Sequence, residues 1–141
     1  MKVLVPVDGS EKSIKAVRHA IYLAQNSKEA TKIYLLNVQL PVTFGDVKKY
    51  ISQEALDSYY MEEGDKALID ARRELENVAV PYEEAVVVNQ IAESIHSFAL
   101  HKKCDQIIMG TRGLGSFSSL LLGSVASKVI HLTSIPVTLV K

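Results

Sequence analysis

The chain has few of the features that mark disulfide-rich, nucleic-acid-binding or membrane proteins. Its 141 residues include one cysteine, Cys104, no tryptophan, and 16 basic against 16 acidic side chains. A lone cysteine excludes an internal disulfide, and a balanced charge provides no positive field to attract nucleic acid or an anionic membrane. No run approaches the ~20 apolar residues of a membrane span, and the apolar run at residues 1–7 is too short for a signal peptide. We therefore expect a soluble, cytoplasmic protein with one domain, residues 1–141, and neither nucleic acid nor membrane as partner.

The sequence also lacks patterns typical of metal sites and of catalytic nucleophiles. His96 and His101 are five residues apart and so do not share a helix face, and His19 and His131 have no nearby ligand pattern. Cys104 follows two lysines, which would lower the pKa of its thiol slightly, but no histidine-supported nucleophile arrangement is readable. We predict no structural metal site and no catalytic residue.

Apolar runs alternate with helical patterns along the chain. Continuous apolar runs are typical of strands buried on both faces of a parallel sheet, and spacing of three to four residues is typical of helices. Five strands and four helices in alternation predict a single open α/β sheet, mostly parallel, with helices on both faces. The predicted strands span 2–7, 31–38, 82–88, 105–109 and 135–140. The first and third predicted helices begin after the capping residues Ser10 and Asn89. The second spans about 53–76 and the fourth about 120–132, and a long loop runs from 40 to about 51.

Residues 110–124 form a glycine-rich segment between the fourth strand and the last helix. Glycines stand at 110, 113, 115 and 123, hydroxyl side chains at 111, 116, 118, 119 and 124, and Arg112 is the one cation. Glycine lets the backbone approach a phosphate closely, and a helix start offers unpaired N–H groups and about half a positive charge. The order strand, glycine-rich segment, helix therefore predicts a phosphate-binding site. The alternative is a surface loop in which the glycines only permit a turn.

The spacing of the glycines distinguishes this segment from better-known phosphate loops. Gly110 and Gly115 have the separation of a Walker loop, but Ser116 occupies the position of the phosphate-binding lysine. A dinucleotide fingerprint would open the first βαβ unit, whereas this segment lies near the end of the sequence. The remaining pattern, Gly110-x2-Gly113-x9-Gly123-Ser124, resembles the phosphate-binding signature of the ATP-binding branch of the universal stress protein family.

The resemblance covers essentially the whole chain and implies a Rossmann-like fold of the adenine nucleotide alpha hydrolase type, with strand order 3-2-1-4-5. In that order the carboxyl end of strand one, Pro6-Val7-Asp8, meets that of strand four, Met109-Gly110. Ligands of open α/β sheets bind where the strand order reverses. The resemblance implies ATP as ligand, with Mg²⁺ or Mn²⁺ carried by the phosphates, and a homodimer formed through the sheet-edge strand 135–140.

Each proposed ligand residue has a plain structural alternative. Asp8 is suited to a ribose hydroxyl or a metal on the phosphates, or else begins the turn before the first helix. By the resemblance, Val38 offers its backbone N–H and C=O to the adenine edge, and Met109 packs on the base; core packing is the alternative for both. Arg112 suits phosphate oxygens, and Ser124 faces the anion or caps the helix. The predicted binding residues are Pro6, Val7, Asp8, Val38, Met109, Gly110, Arg112, Gly113, Gly123, Ser124 and Val125.

The sequence favours a binding function over catalysis. No histidine or carboxylate is marked as a base to activate water, and no Walker lysine is present. The first hypothesis is an ATP-binding stress-response or signalling module. The alternatives are a slow ATPase or autophosphorylating enzyme that uses a hydroxyl of the glycine-rich segment, and a protein-interaction module with a vestigial nucleotide site. The sequence names neither the inducing stress nor a downstream partner.

Overall fold

The computed structural model describes residues 1–43, 45, 50–111 and 122–141. Strands and helices alternate throughout these residues, as the apolar patterns predict. The elements are β1 Lys2–Pro6, α1 Glu11–Asn26, β2 Lys32–Gln39, α2 Gln53–Glu76, β3 Tyr82–Val88, α3 Ile91–His101, β4 Gln106–Gly110, α4 Ser124–Leu132 and β5 Val137–Val140.

The strands form one five-stranded sheet in the order β3-β2-β1-β4-β5. Every neighbouring pair is parallel: Leu4 of β1 is in register with Tyr34 of β2 and with Ile107 of β4, and Ile107 is in register with Val137 of β5. The predicted fold class and strand order are confirmed. The order reverses between β1 and β4, so the carboxyl ends of these two central strands face a common crevice.

The helices cover both faces of the sheet and divide the core in two. Val3 and Val5 of β1 pack in a cluster with residues of α1 and α2, whereas Leu4 packs in a second cluster with residues of α3 and α4. Successive side chains of a strand point to opposite faces, so a strand buried on both sides is apolar at every position. This explains the continuous apolar run at the start of the chain.

The bounds of α2 and β3 coincide with the prediction, but α3 begins differently. The capping residue of α3 is Gln90, which has extended backbone angles and makes no side-chain capping bond. Asn89, the predicted cap, lies one residue earlier, and its Oδ1 accepts a hydrogen bond from the Gln90 N–H at 2.8 Å. The prediction of Asn89 as cap is therefore wrong. Its side chain accepts a hydrogen bond from the neighbouring Gln90 N–H and not from an N–H in the first turn of α3.

The last helix and the last strand are shorter than predicted. Within the described residues, α4 starts at Ser124 because Gly123 is extended (φ −61°, ψ 153°) and serves as its capping residue. Strand β5 starts at Val137 and not at Ile135. Pro136, which has no N–H for a ladder bond, precedes it, although its carbonyl still accepts the Ile107 N–H at 2.9 Å.

Among the helices of the described ranges, none combines the length and the apolar character needed to cross a membrane.

Candidate functional site

A pocket of about 450 Å³ opens at the carboxyl ends of β1, β2 and β4 and at the start of α4. Its volume lies within the usual range of small-molecule sites. Arg112 and Gly113, which the sequence also marks, lie outside the described residues. All the other predicted residues line this one pocket: Pro6, Val7, Asp8, Val38, Met109, Gly110, Gly123, Ser124 and Val125.

Asp8 lines the pocket and also organises the turn that leads into α1. Its Oδ1 accepts a hydrogen bond from the Ser10 N–H at 2.9 Å. Ser10 then caps α1, because its hydroxyl accepts the Ser13 N–H at 3.2 Å, while the Ser13 hydroxyl donates to the Ser10 carbonyl at 2.9 Å. The turn function expected as an alternative is thus present, and it holds the carboxylate at the pocket wall.

The two ends of the glycine-rich segment are joined by one hydrogen bond, and a second bond holds this point to β5. The Gly123 N–H donates to the Thr111 carbonyl at 2.7 Å, and the Thr111 N–H donates to the carbonyl of Val140 in β5 at 3.0 Å. The start of α4 is therefore anchored beside the end of β4. This arrangement places a helix N-terminus directly at the crevice of the sheet.

The first turn of α4 provides backbone donors at the pocket. Ser124 is the first residue of the helix and not its cap, which is Gly123. The N–H groups at a helix start have no carbonyl partner inside the helix, and here Ser124, Val125 and Ala126 all line the pocket. The first helical bond is made by the Ser127 N–H to the Gly123 carbonyl at 3.0 Å. The preceding N–H groups and the helix dipole favour an anion at this wall.

The charge of the lining is low within the described part of the chain. Asp8 is its one ionisable side chain, and its other members are apolar, amide, hydroxyl or glycine residues. No group of three or more His, Cys, Asp and Glu side chains in the described ranges could hold a metal ion. In this part of the site, an anion would be bound by backbone N–H groups and not by a cationic side chain.

The pocket contains residues that the sequence motifs did not mark. Asn37 and Gln39 stand in β2 beside the predicted Val38, and Asn37 is only 2% exposed. The available signal was an amide within the apolar run of β2, where a buried polar side chain needs a hydrogen-bond partner. The remaining unpredicted lining residues are Ser13, Leu36, Leu40, Ile91, Ile95 and Ala126.

Strand β2 extends beyond β1, and this leaves backbone groups facing the pocket. The Val7 N–H donates to the Leu36 carbonyl at 2.8 Å, so Leu36 faces β1, whereas the Gln39 carbonyl faces β3 and accepts the Asn89 N–H at 3.0 Å. Because the backbone groups of a strand alternate between its two neighbours, the N–H and C=O of Val38 face the β1 side. Strand β1 ends at Pro6, and Val38 lines the pocket together with Val7, so these groups face the pocket beside Val7.

Val38 and Met109 each pack against the core and also line the pocket. Met109 is 5% exposed and belongs to the core cluster under α3 and α4, and Val38 packs against the same cluster. Both residues line the pocket as well. They form an apolar floor suited to a flat aromatic ring.

Cys104 is a buried packing residue. Burial raises the pKa of its thiol to about 11, and the nearby charges of Lys2 and Lys102 lower it only in part. The lysine Lys102 lowers the pKa as expected, but the net shift is upward, because desolvation of the thiolate outweighs this attraction.

Known proteins are similar to this chain in sequence and in fold. Residues 1–141 match the model of a family described as the universal stress protein family. Universal stress protein MJ0531 of Methanocaldococcus jannaschii is 35% identical over 141 residues, which cover 99% of this chain and 81% of that protein.

Two solved structures extend the comparison. The structure of MJ0577, from the same organism, is similar with a TM-score of 0.84 and 31% identity, over 99% of this chain and 94% of that one. A universal stress protein crystallised in complex with cAMP is similar with a TM-score of 0.66 and 25% identity, over 100% of this chain and 97% of that one.

Proposed function

The chain belongs to the universal stress protein family, and on that premise we propose that its pocket binds an adenine nucleotide, with ATP as the ligand. One observation carries the proposal. A single pocket brings together an apolar floor, the backbone groups of Val38 and the N-terminus of α4. These three parts match a base, its hydrogen-bonding edge and a phosphate. A universal stress protein with the same fold has been crystallised with cAMP, which carries an adenine base.

Base recognition is assigned to β2 and to the apolar floor. The N–H of Val38 is a donor and its C=O an acceptor, and both lie on the β1 side, at the pocket. The edge of adenine presents an acceptor, N1, beside a donor, the 6-amino group, and so complements this pair. Guanine presents the opposite order, an N1–H donor beside the O6 acceptor. Met109 and Val38 provide the apolar surface beneath the ring.

Phosphate binding is assigned to the start of α4 and the glycine-rich segment. The N–H groups of Ser124 and Val125 are at the pocket wall, where the helix dipole favours an anion. Gly123 leaves room for close approach of an oxygen. Arg112 and Gly113, outside the described residues, are proposed as further phosphate ligands.

Asp8 is proposed to bind a ribose hydroxyl or to contribute an oxygen to Mg²⁺ or Mn²⁺ on the phosphates. A carboxylate is a suitable ligand for such cations. Because the described residues contain no cluster of three potential ligands, we propose that the metal enters with the nucleotide and is held mainly by phosphate oxygens.

The biological role proposed is that of a nucleotide-dependent stress-response or signalling module that works as a homodimer. Strand β5 is at the sheet edge, paired with β4 on one side, and its other side offers backbone groups to a second copy. Fast hydrolysis is not supported, since Asp8 is the one ionisable group of the described lining and its Oδ1 already accepts the Ser10 N–H.

The test is to denature the purified protein and to identify any released nucleotide by chromatography and mass spectrometry. We expect ATP, near one per chain for tight binding, and ADP in its place if the bound ATP turns over. The apo protein should melt at a higher temperature when ATP and Mg²⁺ are added, because a ligand of the native state stabilises it. Absence of both a released adenine nucleotide and an ATP-induced shift would contradict the proposal.

A further inference from the structure

Asn37 makes two side-chain hydrogen bonds at the pocket, one to Val7 and one to Gln39. Its Nδ2 donates to the carbonyl of Val7 at 2.8 Å, and its Oδ1 accepts from Nε2 of Gln39 at 2.6 Å. Asn37 and Val7 are each only 2% exposed. A buried carbonyl without a partner is costly, so the Asn37 side chain satisfies the carbonyl of a nearly buried residue.

The bond from Asn37 stands where a rung of the sheet would otherwise be. In the β1–β2 ladder the Val7 N–H donates to the Leu36 carbonyl at 2.8 Å. The next rung of a parallel ladder would join the Val38 N–H to the Val7 carbonyl. In the described structure that carbonyl accepts the Asn37 amide instead. The last backbone rung between the two strands is therefore the bond from the Val7 N–H to the Leu36 carbonyl.

We propose that Asn37 is a positioning residue for base recognition: by occupying the Val7 carbonyl, it keeps the Val38 N–H available to the ligand. The inference rests on the proposed nucleotide function and adds to it the residue that controls base specificity. Gln39 holds the Asn37 amide in the orientation that donates to Val7. Without the Asn37 amide, the Val7 carbonyl would take the Val38 N–H, and the donor that distinguishes adenine from guanine would be lost.

The proposal is tested by the selectivity between ATP and GTP, measured by isothermal titration calorimetry on the full chain. Wild type should prefer ATP. In Asn37→Ala and in the isosteric Asn37→Asp, which has no amide donor, we expect ATP affinity to fall about tenfold, the typical effect of one lost hydrogen bond. GTP affinity should change little, so the preference falls towards one.

Thr31→Val is the matched control. Thr31 is also a buried polar residue, 5% exposed, just before β2 at the opposite end from the pocket, and its hydroxyl donates to the Glu29 carbonyl at 3.2 Å. This variant loses a buried hydrogen bond without touching the pocket, so its ATP preference should equal that of wild type. If a general loss of stability lowered the ATP preference, Thr31→Val would show the same reduction as the Asn37 variants.

The outcomes separate the two proposals. If wild type binds neither nucleotide, the proposed function fails. If wild type prefers ATP and the Asn37 variants keep the same preference, the role of Asn37 is overturned. Should the Asn37 variants not fold, amide hydrogen exchange on the wild-type protein tests the role of Asn37. Without nucleotide the Val38 N–H should exchange faster than the N–H of Leu36, and ATP should protect it; equal protection of the two amides in the apo protein would overturn the inference.

Discussion

A methyl group built on Gly110 would lie 2.8 Å from Cβ of Lys12 and 3.0 Å from the Lys12 carbonyl carbon. The first turn of α1 thus packs directly on the backbone at the end of β4. Lys12 is near the start of the helix that follows Asp8, so this contact joins the two strand ends that form the pocket. Gly110 was predicted as a phosphate-binding glycine, and the structure adds a packing requirement at the same position.

We expect Gly110→Ala to destabilise the protein in the absence of any nucleotide. Overpacking of this kind costs about 1–3 kcal/mol, measurable as a lower urea midpoint. Lys12→Ala combined with Gly110→Ala should not restore stability, because alanine keeps the Cβ and the backbone that are in contact. An apo stability of Gly110→Ala equal to that of wild type would show that α1 does not depend on this contact.

Gly64 lies in the middle of α2, where its absent side chain admits Val86 of β3. A Cβ on Gly64 would be 2.5 Å from Cγ2 of Val86. We expect Gly64→Ala to destabilise by about 1–3 kcal/mol, although alanine gains about 1 kcal/mol in helix propensity. In a Val86→Ala background the same change should be neutral or stabilising. A double-mutant cycle by urea denaturation measures this, and additive effects would refute the close contact.

Cys104 should react slowly with iodoacetamide in the folded protein. Burial raises the pKa of its thiol to about 11 from an ordinary value of 9.0, so at pH 8 the thiolate fraction is about 100-fold below that of the unfolded chain. The raised pKa also links stability to pH. Its contribution to the free energy of unfolding is fully present below pH 9 and is lost as the pH rises through 11, because the thiol of the unfolded chain ionises first. The Cys104→Ala variant should not show this part of the loss of stability at alkaline pH. Equal labelling rates in folded and unfolded protein would contradict the burial.

The β5 edge should mediate self-association. Leu139 is 37% exposed on β5, while Val137 packs against the core cluster under α3 and α4, so Leu139 is the residue to change. We expect wild type to be a dimer at micromolar concentration and Leu139→Lys to be a folded monomer, because a buried unpaired charge opposes pairing. Leu100→Lys, at a leucine 53% exposed on α3, should remain a dimer. Sedimentation equilibrium distinguishes these states, and a monomeric wild type would refute the interface.

The sequence predicts the elements of this fold well where local chemistry decides them. The long helix α2 and strand β3 have the predicted bounds, and Ser10 caps α1 as expected. Helix periodicity and capping hydroxyls act over a few residues, so they are visible without the fold. The strand order came from the family resemblance, since pairing between distant strands leaves no local pattern.

The sequence analysis places the site where the ends of strands one and four meet and adds Val38 of strand two, but it misses the two amides beside Val38, Asn37 and Gln39. The glycine spacing and the polar residues after β1 are visible signals, whereas the amides of Asn37 and Gln39 gain their meaning from where β1 ends. That end point depends on the register between Pro6 and Leu36, which no local pattern specifies. For the same reason the contact between Gly110 and Lys12 could not be foreseen.

The measurement that tests nucleotide binding most directly is the ATP affinity of Gly123→Val beside wild type, by isothermal titration calorimetry with Mg²⁺ present. Gly123 lines the pocket as the extended cap of α4. Its backbone angles suit valine, so the apo protein should lose at most about 1 kcal/mol of stability from a poorer cap. The two methyl groups would block a phosphate from the first N–H groups of the helix. We predict ATP binding by wild type and none detectable by folded Gly123→Val; undiminished ATP affinity in that variant would contradict the site.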